Sequence, residues 1–258
     1  MFKKYFVLTI ILIITIIIPP FIYESHKENL ISKYNLAFIT CFYGTSNNPA
    51  FKIPELPSDK YDCYYFSNNK YLLEKVTAKG WKPIYDNKPV TENLIESCMY
   101  GKRIKVLPHE FKILDSYQYL CFLDSKLDKI SLSFVERNID EHFVKGNYAL
   151  LLKQHNSISP NIWNEFNESM NQDRYVLEKE KYINYINKQL SNGLTSETSQ
   201  HAQCGYLIRN MKHPKIIDLN NTWYKHIEEA GIQDQISFFF VKQLFKDCIL
   251  IFPESYFE

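Results

Sequence analysis

Glycine and proline are scarce, 7 and 11 among 258 residues, which excludes collagen-like and low-complexity chains. No C-x-x-C pair occurs among the six cysteines, Cys41, Cys63, Cys98, Cys121, Cys204 and Cys248, so zinc-ribbon and thioredoxin-like chemistry lack their spacing. Neither sign of charge prevails: 30 Lys and Arg stand against 29 Asp and Glu, a net +1. Without a basic surplus the chain carries no electrostatic footprint for nucleic acid. Also missing are G-x-S-x-G, a Walker A loop and H-E-x-x-H, which removes the serine-hydrolase, P-loop and zincin readings.

What is present is globular in composition, 45% hydrophobic and 23% charged. Such a length suits one large domain or two small ones and buries enough surface to fold without staples. The thiols mostly have apolar neighbours, as in Cys121-Phe122-Leu123, and read as buried free cysteines; a disulfide stays open to them if the domain is lumenal. Aromatics reach 16%, which suits sugar binding and equally reflects A+T-rich codon usage.

Tyr5 to Tyr23 carries no charge and is dense in Ile and Leu. At about 19 residues it is long enough to span a bilayer, and no small-residue cleavage pattern follows it. Lys3 and Lys4 put the short N-terminal side in the cytosol. The expectation is a cytosolic tip and signal anchor over 1–23, a stem over 24–33 and an extracytoplasmic or lumenal domain over 34–258, a single-pass type II membrane protein. Sequons at Asn167 and Asn220 are compatible with that side of the membrane.

Apolar runs ending in polar turns predict strands at 34–42, 61–66, 81–85, 117–123, 148–153, 205–208 and 248–252. Helical spacing covers 92–112, interrupted by Pro108, then 160–192 and 234–245. This alternation predicts one α/β domain. In such sheets ligands sit at the carboxyl ends of strands, so the residues to weigh are Tyr43, Gly44, Asp124, Lys126, His155 and Arg209.

The sharpest constellation is Leu123-Asp124-Ser125-Lys126-Leu127-Asp128. A strand-end carboxylate can hold Mg²⁺ or Mn²⁺ against a diphosphate, and a lysine two residues on can neutralise phosphate directly. Arg103-x-Lys105-x-x-Pro108-His109 is the second. Cations two apart on a helix do not share a face, so one points to the site and one to solvent. Asp234 opens a helix, where it caps or catalyses. His155 is followed by Trp163 and Glu165. Each taken alone has an ordinary structural explanation: a strand-end carboxylate, a solvated basic face, a cap, a packed imidazole.

In order, Ala37 to Gly44, Tyr61 to Asn68, Gly80-Trp81, Arg103, Lys105, Pro108-His109, Leu123 to Leu127, His155, Trp163, Glu165, Gly205 to Arg209, Trp223 and Asp234 to Phe238 resemble the plant mucilage-related and turgor-regulation-defect family (domain of unknown function 616). The chain departs from it at Gln233, where plant members carry Arg, and at His201-Ala202-Gln203-Cys204. The resemblance implies a single GT-A-like (Rossmann-like) α/β fold, a mixed sheet flanked by helices, and a glycosyltransferase, a hexosyltransferase, moving sugar from a nucleotide-sugar donor to a glycan or glycoconjugate acceptor. In that reading Tyr43, Gly44 and Asp62, with the Ser67-Asn68-Asn69 turn, meet the nucleotide. Asp124 binds Mn²⁺ or Mg²⁺ or the donor ribose, while Arg103, Lys105 and Lys126 hold diphosphate. His155 and Arg209 also face the donor, and Asp234 is general base or acceptor-orienting carboxylate. The alternatives are a non-catalytic glycan-binding module on the same fold and, after a plant relative linked to ceramide hydrolysis, a lipid hydrolase. The latter chemistry wants His and Asp from several spanning helices around zinc.

Overall fold

A computed structural model describes residues 32–48, 50–127 and 129–253. The anchor expected over Tyr5 to Tyr23, most of the stem, and Asp128 lie outside the described residues. Among the described residues no helix is long and apolar enough to cross a membrane.

In chain order the elements are β1 (Leu36–Cys41), β2 (Asp62–Ser67), α1 (Lys70–Thr77), β3 (Lys82–Tyr85), α2 (Leu94–Val106), β4 (Tyr119–Leu123), α3 (Leu132–Asn138), β5 (Leu150–Gln154), α4 (Ile162–Ser169), α5 (Asp173–Val176), α6 (Lys179–Ser191), β6 (Ala202–Asn210), α7 (Ile216–Ala230), α8 (Asp234–Leu244) and β7 (Ile249–Phe252). The strands form one seven-stranded sheet, ordered β3-β2-β1-β4-β6-β5-β7. β3, β2, β1 and β4 are mutually parallel, β6 runs antiparallel to β4 and β5, and β7 is parallel to β5. The α/β domain expected from the alternation is therefore present, and its sheet is mixed.

Central parallel strands are buried on both faces and so read as continuous apolar runs. Ala37 and Ile39 of β1 pack on one face with Ile104 of α2 and Leu219, Trp223 and Ile227 of α7. Leu36 and Phe38 pack on the other with Val76 of α1 and Phe134 and Val135 of α3. A third cluster joins Ile162 and Phe166 of α4, Tyr182 and Ile186 of α6 and Phe239 and Phe240 of α8.

α1, α3 and α7 were not expected. Asn69 starts α1 by accepting the Leu72 N–H on its side chain, a cap worth about 1 kcal/mol. The 160–192 stretch is three helices rather than one, because the chain turns at 170–172 and again at 177–178. All six cysteines are free. Asn220 is fully buried and accepts from Arg209 Nε at 3.1 Å, so that sequon is closed to glycosylation in the folded protein.

One glycine is decisive for the site. Gly231 ends α7 at φ +117°, and a Cβ there would lie 2.6 Å from Glu178 Oε2. That same oxygen accepts the Ile232 N–H at 2.8 Å. The left-handed conformation, open to glycine at little cost, turns the chain so that α8 begins at Asp234.

Candidate active site

From β1, strands β2 and β3 extend to one side and β4 and the later strands to the other, so the order reverses between β1 and β4. Ligand crevices open outside the carboxyl ends of strands at such a point. Two cavities lie there. A cleft of about 140 Å³ is lined by Cys41 at the end of β1 and Phe42 and Tyr43 after it, by Leu94, Ser97 and Cys98 of α2, and by Phe122. A chamber of about 420 Å³ is lined by His155, Ser169, Gln172, Gln203, Gln233, Asp234 and Gln235. Lys102, Lys105, Asp124, Lys126 and Arg174 line both and form the junction between them.

Asp124 follows the last residue of β4. Its N–H donates to Gly205 O at 2.7 Å, its carbonyl accepts from Leu127 N at 2.8 Å and its Oδ1 accepts from Lys126 N at 3.1 Å. A tight turn thus holds the carboxylate at the sheet rim and sends Lys126 over the junction. Burial, then the nearby Arg174, lowers the Lys126 pKa from its ordinary value despite Asp124, as expected where cations crowd.

Lys102 and Lys105 are three apart on α2 and share a face. Both reach Asp234 Oδ2, Lys102 at 3.0 Å, and Lys105 and Asp234 are each 4% exposed. Burial alone would raise the Asp234 pKa, yet the two ammonium groups outweigh it and hold the carboxyl down at about 2, against an ordinary 3.8. Burial works against the charge on Lys102 too, but Asp234 overcomes it and raises that pKa.

Proton linkage ties this depression to stability. A carboxylate whose folded pKa lies below its unfolded one contributes fully above about pH 4 and loses that contribution as pH falls toward 2. The depression corresponds to about 2 kcal/mol. The stability gap between the native chain and Asp234→Asn, read by urea unfolding, is expected to shrink by about that amount between about pH 5 and pH 2. A gap flat with pH would mean that the lysines do not set this titration.

Behind the chamber lies a buried polar cluster. Glu165, 1% exposed, accepts from Gln233 Nε2 at 3.0 Å and Ser169 Oγ at 3.2 Å on Oε1, and from Gln235 Nε2 at 3.0 Å and His201 Nε2 at 2.6 Å on Oε2. His155 stacks on His201 with ring centroids 5.6 Å apart, and its N–H donates to His201 O. β5 and β6 slip register between Leu152 and Lys153, next to this cluster, as bulges beside sites often do.

Of the residues singled out from sequence, Tyr43, Lys105, Asp124, Lys126, His155 and Asp234 line these cavities. Tyr43 also donates its hydroxyl to Asp86 at 2.8 Å. Gly44 stands behind that wall, at φ +133°, with its N–H on Asn68 Oδ1 and its carbonyl on Asn69 Nδ2. The Asn68-Asn69 turn therefore holds this loop.

Three assignments are corrected. Asp62 begins β2, opposite Ala37, so it sits at the amino rim of the sheet, paired with Lys82 and Tyr117. Arg209 pairs with Leu120 and Leu150; because β6 runs antiparallel, it lies at that same far end. It is fully buried over the Trp223 ring, and burial pushes its pKa down to about 9. Arg103 turns away from the junction to Glu110 at 2.8 Å and lies over Phe111. One cation facing the site and one facing out does hold for the Arg103-x-Lys105 pair. Asp234 is present but ill suited as a general base, since a carboxyl of pKa about 2 holds a proton poorly near neutral pH.

The sequence reading missed Lys102, Arg174 and the glutamines. Lys102 could have been found from its three-residue spacing to Lys105. Arg174 carries no local signal. Among the described residues no group of three or more His, Cys, Asp or Glu is placed to hold a metal ion.

No family model matches the sequence, and no curated protein matches it. Among solved structures, the apo form of mouse xyloside xylosyltransferase 1 aligns at a TM-score of 0.49 and 10% identity, over 84% of each chain. CMP:2-keto-3-deoxy-manno-octonic acid synthetase complexed with CTP aligns at 0.44 and 11%, over 84% of this chain and 89% of that one. Neither likeness carries residue roles across to this chain.

Proposed function

We infer that the protein is a glycosyltransferase that uses a nucleotide-activated sugar, held at a membrane by its N-terminal segment. The observation that carries this reading is the junction: Lys102, Lys105, Lys126 and Arg174 meet Asp124 where a part-apolar cleft opens into a polar chamber. A nucleoside has an aromatic, half-apolar body and fits the cleft between Tyr43, Leu94 and Phe122. Its diphosphate falls on the cations, and the sugar with its acceptor falls among carboxamides that both donate to and accept from hydroxyls.

Cations aimed at the leaving diphosphate stabilise the charge that grows there as the glycosidic bond breaks. Asp124, fixed by the Lys126 N–H, orients the ribose or the donor sugar. The chamber brings donor and acceptor into contact out of bulk water, which replaces a bimolecular encounter by a positioned one. With Asp234 engaged by two lysines, the proton of the acceptor hydroxyl passes to an oxygen of the departing diphosphate as the new glycosidic bond forms.

A thermal-shift screen against UDP-, GDP- and CMP-sugars tests the reading. A cognate donor at a hundredfold excess over its Kd adds about 2.7 kcal/mol, a rise of roughly 5–10 °C for a domain this size. Asp124→Ala is expected to fold, with Tm lowered by no more than about 4 °C, and to lose donor hydrolysis. Glycan binding with no response to any sugar nucleotide would favour a lectin-like module instead.

A further inference from the structure

The junction between the two cavities has a charge balance of its own. Four cationic side chains, Lys102, Lys105, Lys126 and Arg174, line it together with one carboxylate, Asp124. The nearest further carboxylate, Asp234, is already engaged by Lys102 and Lys105. Glu168 lines only the chamber; with Asp124 and Asp234 counted, the junction's surplus is two positive charges, the charge that the diphosphate of a sugar nucleotide brings with its opposite sign.

A divalent cation would find poor terms there. Mg²⁺ and Mn²⁺ ask for about six oxygens, the protein's share usually carboxylate. Asp124 is a single carboxylate with one oxygen already on the Lys126 N–H. The residue two further along, where a second carboxylate would chelate with it, is Lys126. Like charges a few ångströms apart in a half-buried cleft repel by several kcal/mol, and a divalent ion would enter a site that already carries that surplus of two.

The cations are built in rather than incidental. Lys102 and Lys105 are drawn into the wall by Asp234, with Lys105 4% exposed. Arg174 is braced by Gln172 Oε1 at 2.8 Å and by the Tyr175 ring. Lys126 is aimed by the turn at Asp124.

We propose that this site binds the diphosphate of a nucleoside diphosphate or nucleotide sugar without a divalent metal, the lysines and Arg174 supplying the charge that a metal ion would. The proposal rests on the sugar-nucleotide reading of the site and adds how the phosphates are held. When the sugar departs, Lys126 and Arg174 take up the negative charge on the released diphosphate, and no protein group is oxidised or reduced.

Calorimetric titration of the full-length chain with UDP, GDP, ADP and CDP, in excess EDTA and again with Mn²⁺, tests it. The expected result is binding of at least one diphosphate in EDTA, with Kd changed less than about threefold by Mn²⁺. Charge-assisted contacts contribute about 1.5–3 kcal/mol each, so Lys126→Gln and Arg174→Gln should each weaken binding roughly tenfold or more. Lys126→Asp should lose binding in EDTA and regain most of it with Mn²⁺. Binding that requires Mn²⁺ in the native protein overturns the metal-free proposal and leaves the transferase reading standing. Binding in neither condition overturns both.

Discussion

Asp234→Ala is expected to cost about 3–5 kcal/mol of unfolding free energy, the range for removing one partner of a buried ion pair. Most of that cost is uncompensated positive charge. Lys105 is 4% exposed and shares Asp234 Oδ2 with Lys102, so alanine strands two ammonium groups in a wall that water reaches poorly. For a chain of this size the loss amounts to a fall in Tm of roughly 6–20 °C. Asp234→Asn keeps the volume and an acceptor oxygen and should fall between the two. Because the stranded charges face the junction, inorganic pyrophosphate should restore more stability to Asp234→Ala than to the native chain. Urea unfolding with and without pyrophosphate measures both. A loss below about 1 kcal/mol, the scale of a surface pair, would mean that the lysines find other partners and that Asp234 does not organise the wall.

This role was only half visible in the sequence. Asp234 was legible as the opening of a helix, and Asp124 as the polar stop of the strongest apolar run, because a parallel central strand shows its burial as uninterrupted hydrophobicity. Direction was not legible. A strand pattern reads the same in either sense, so nothing local said that β6 runs against β4 and carries Arg209 to the far rim. Asp62 was misjudged for a related reason: it starts its strand, and in a parallel sheet only the ends that finish strands reach the crevice.

Arg174 was hidden by a different limit. Its approach depends on the chain turning at 170–172 and 177–178 between α4 and α6, and no glycine or proline announces those turns. The three-helix cluster that results is held by tertiary contacts, Glu178 reaching the Ile232 N–H and Tyr182 the Gln233 N–H. Both contacts span more than fifty residues, a distance over which local propensity carries no information. The same turns carry Gln172 and Tyr175 into the chamber wall, which is why the polar lining was the least foreseeable part of the site.

The buried carboxylate behind that lining should be as sensitive as Asp234, for the opposite electrostatic reason. Glu165 is an acceptor surrounded by donors: Gln233, Gln235, His201 and Ser169 all converge on its two oxygens. Ser169 has the Glu165 carbonyl at 2.8 Å in reserve and Gln233 Nε2 has Ser169 Oγ at 3.0 Å, but the Gln235 carboxamide and the His201 Nε2 lose this acceptor if the side chain is truncated. A buried donor without an acceptor costs about 1–3 kcal/mol, so Glu165→Ala should lose about 3–5 kcal/mol, non-additively, as neighbours in one network do. Glu165→Gln keeps the shape but turns one acceptor into a donor facing donors, and about 2 kcal/mol is expected. The functional reading adds a second outcome. Gln233 and Gln235 line the chamber and are oriented from behind by this one carboxylate, whereas the junction cations are not. Glu165→Gln should therefore bind UDP with nearly native affinity and lose turnover or binding of the sugar-bearing donor. Calorimetry with UDP beside UDP-sugars, together with urea unfolding, reads these apart. Equal weakening of both ligands would mean that the network supports the fold as a whole and does not position the sugar side.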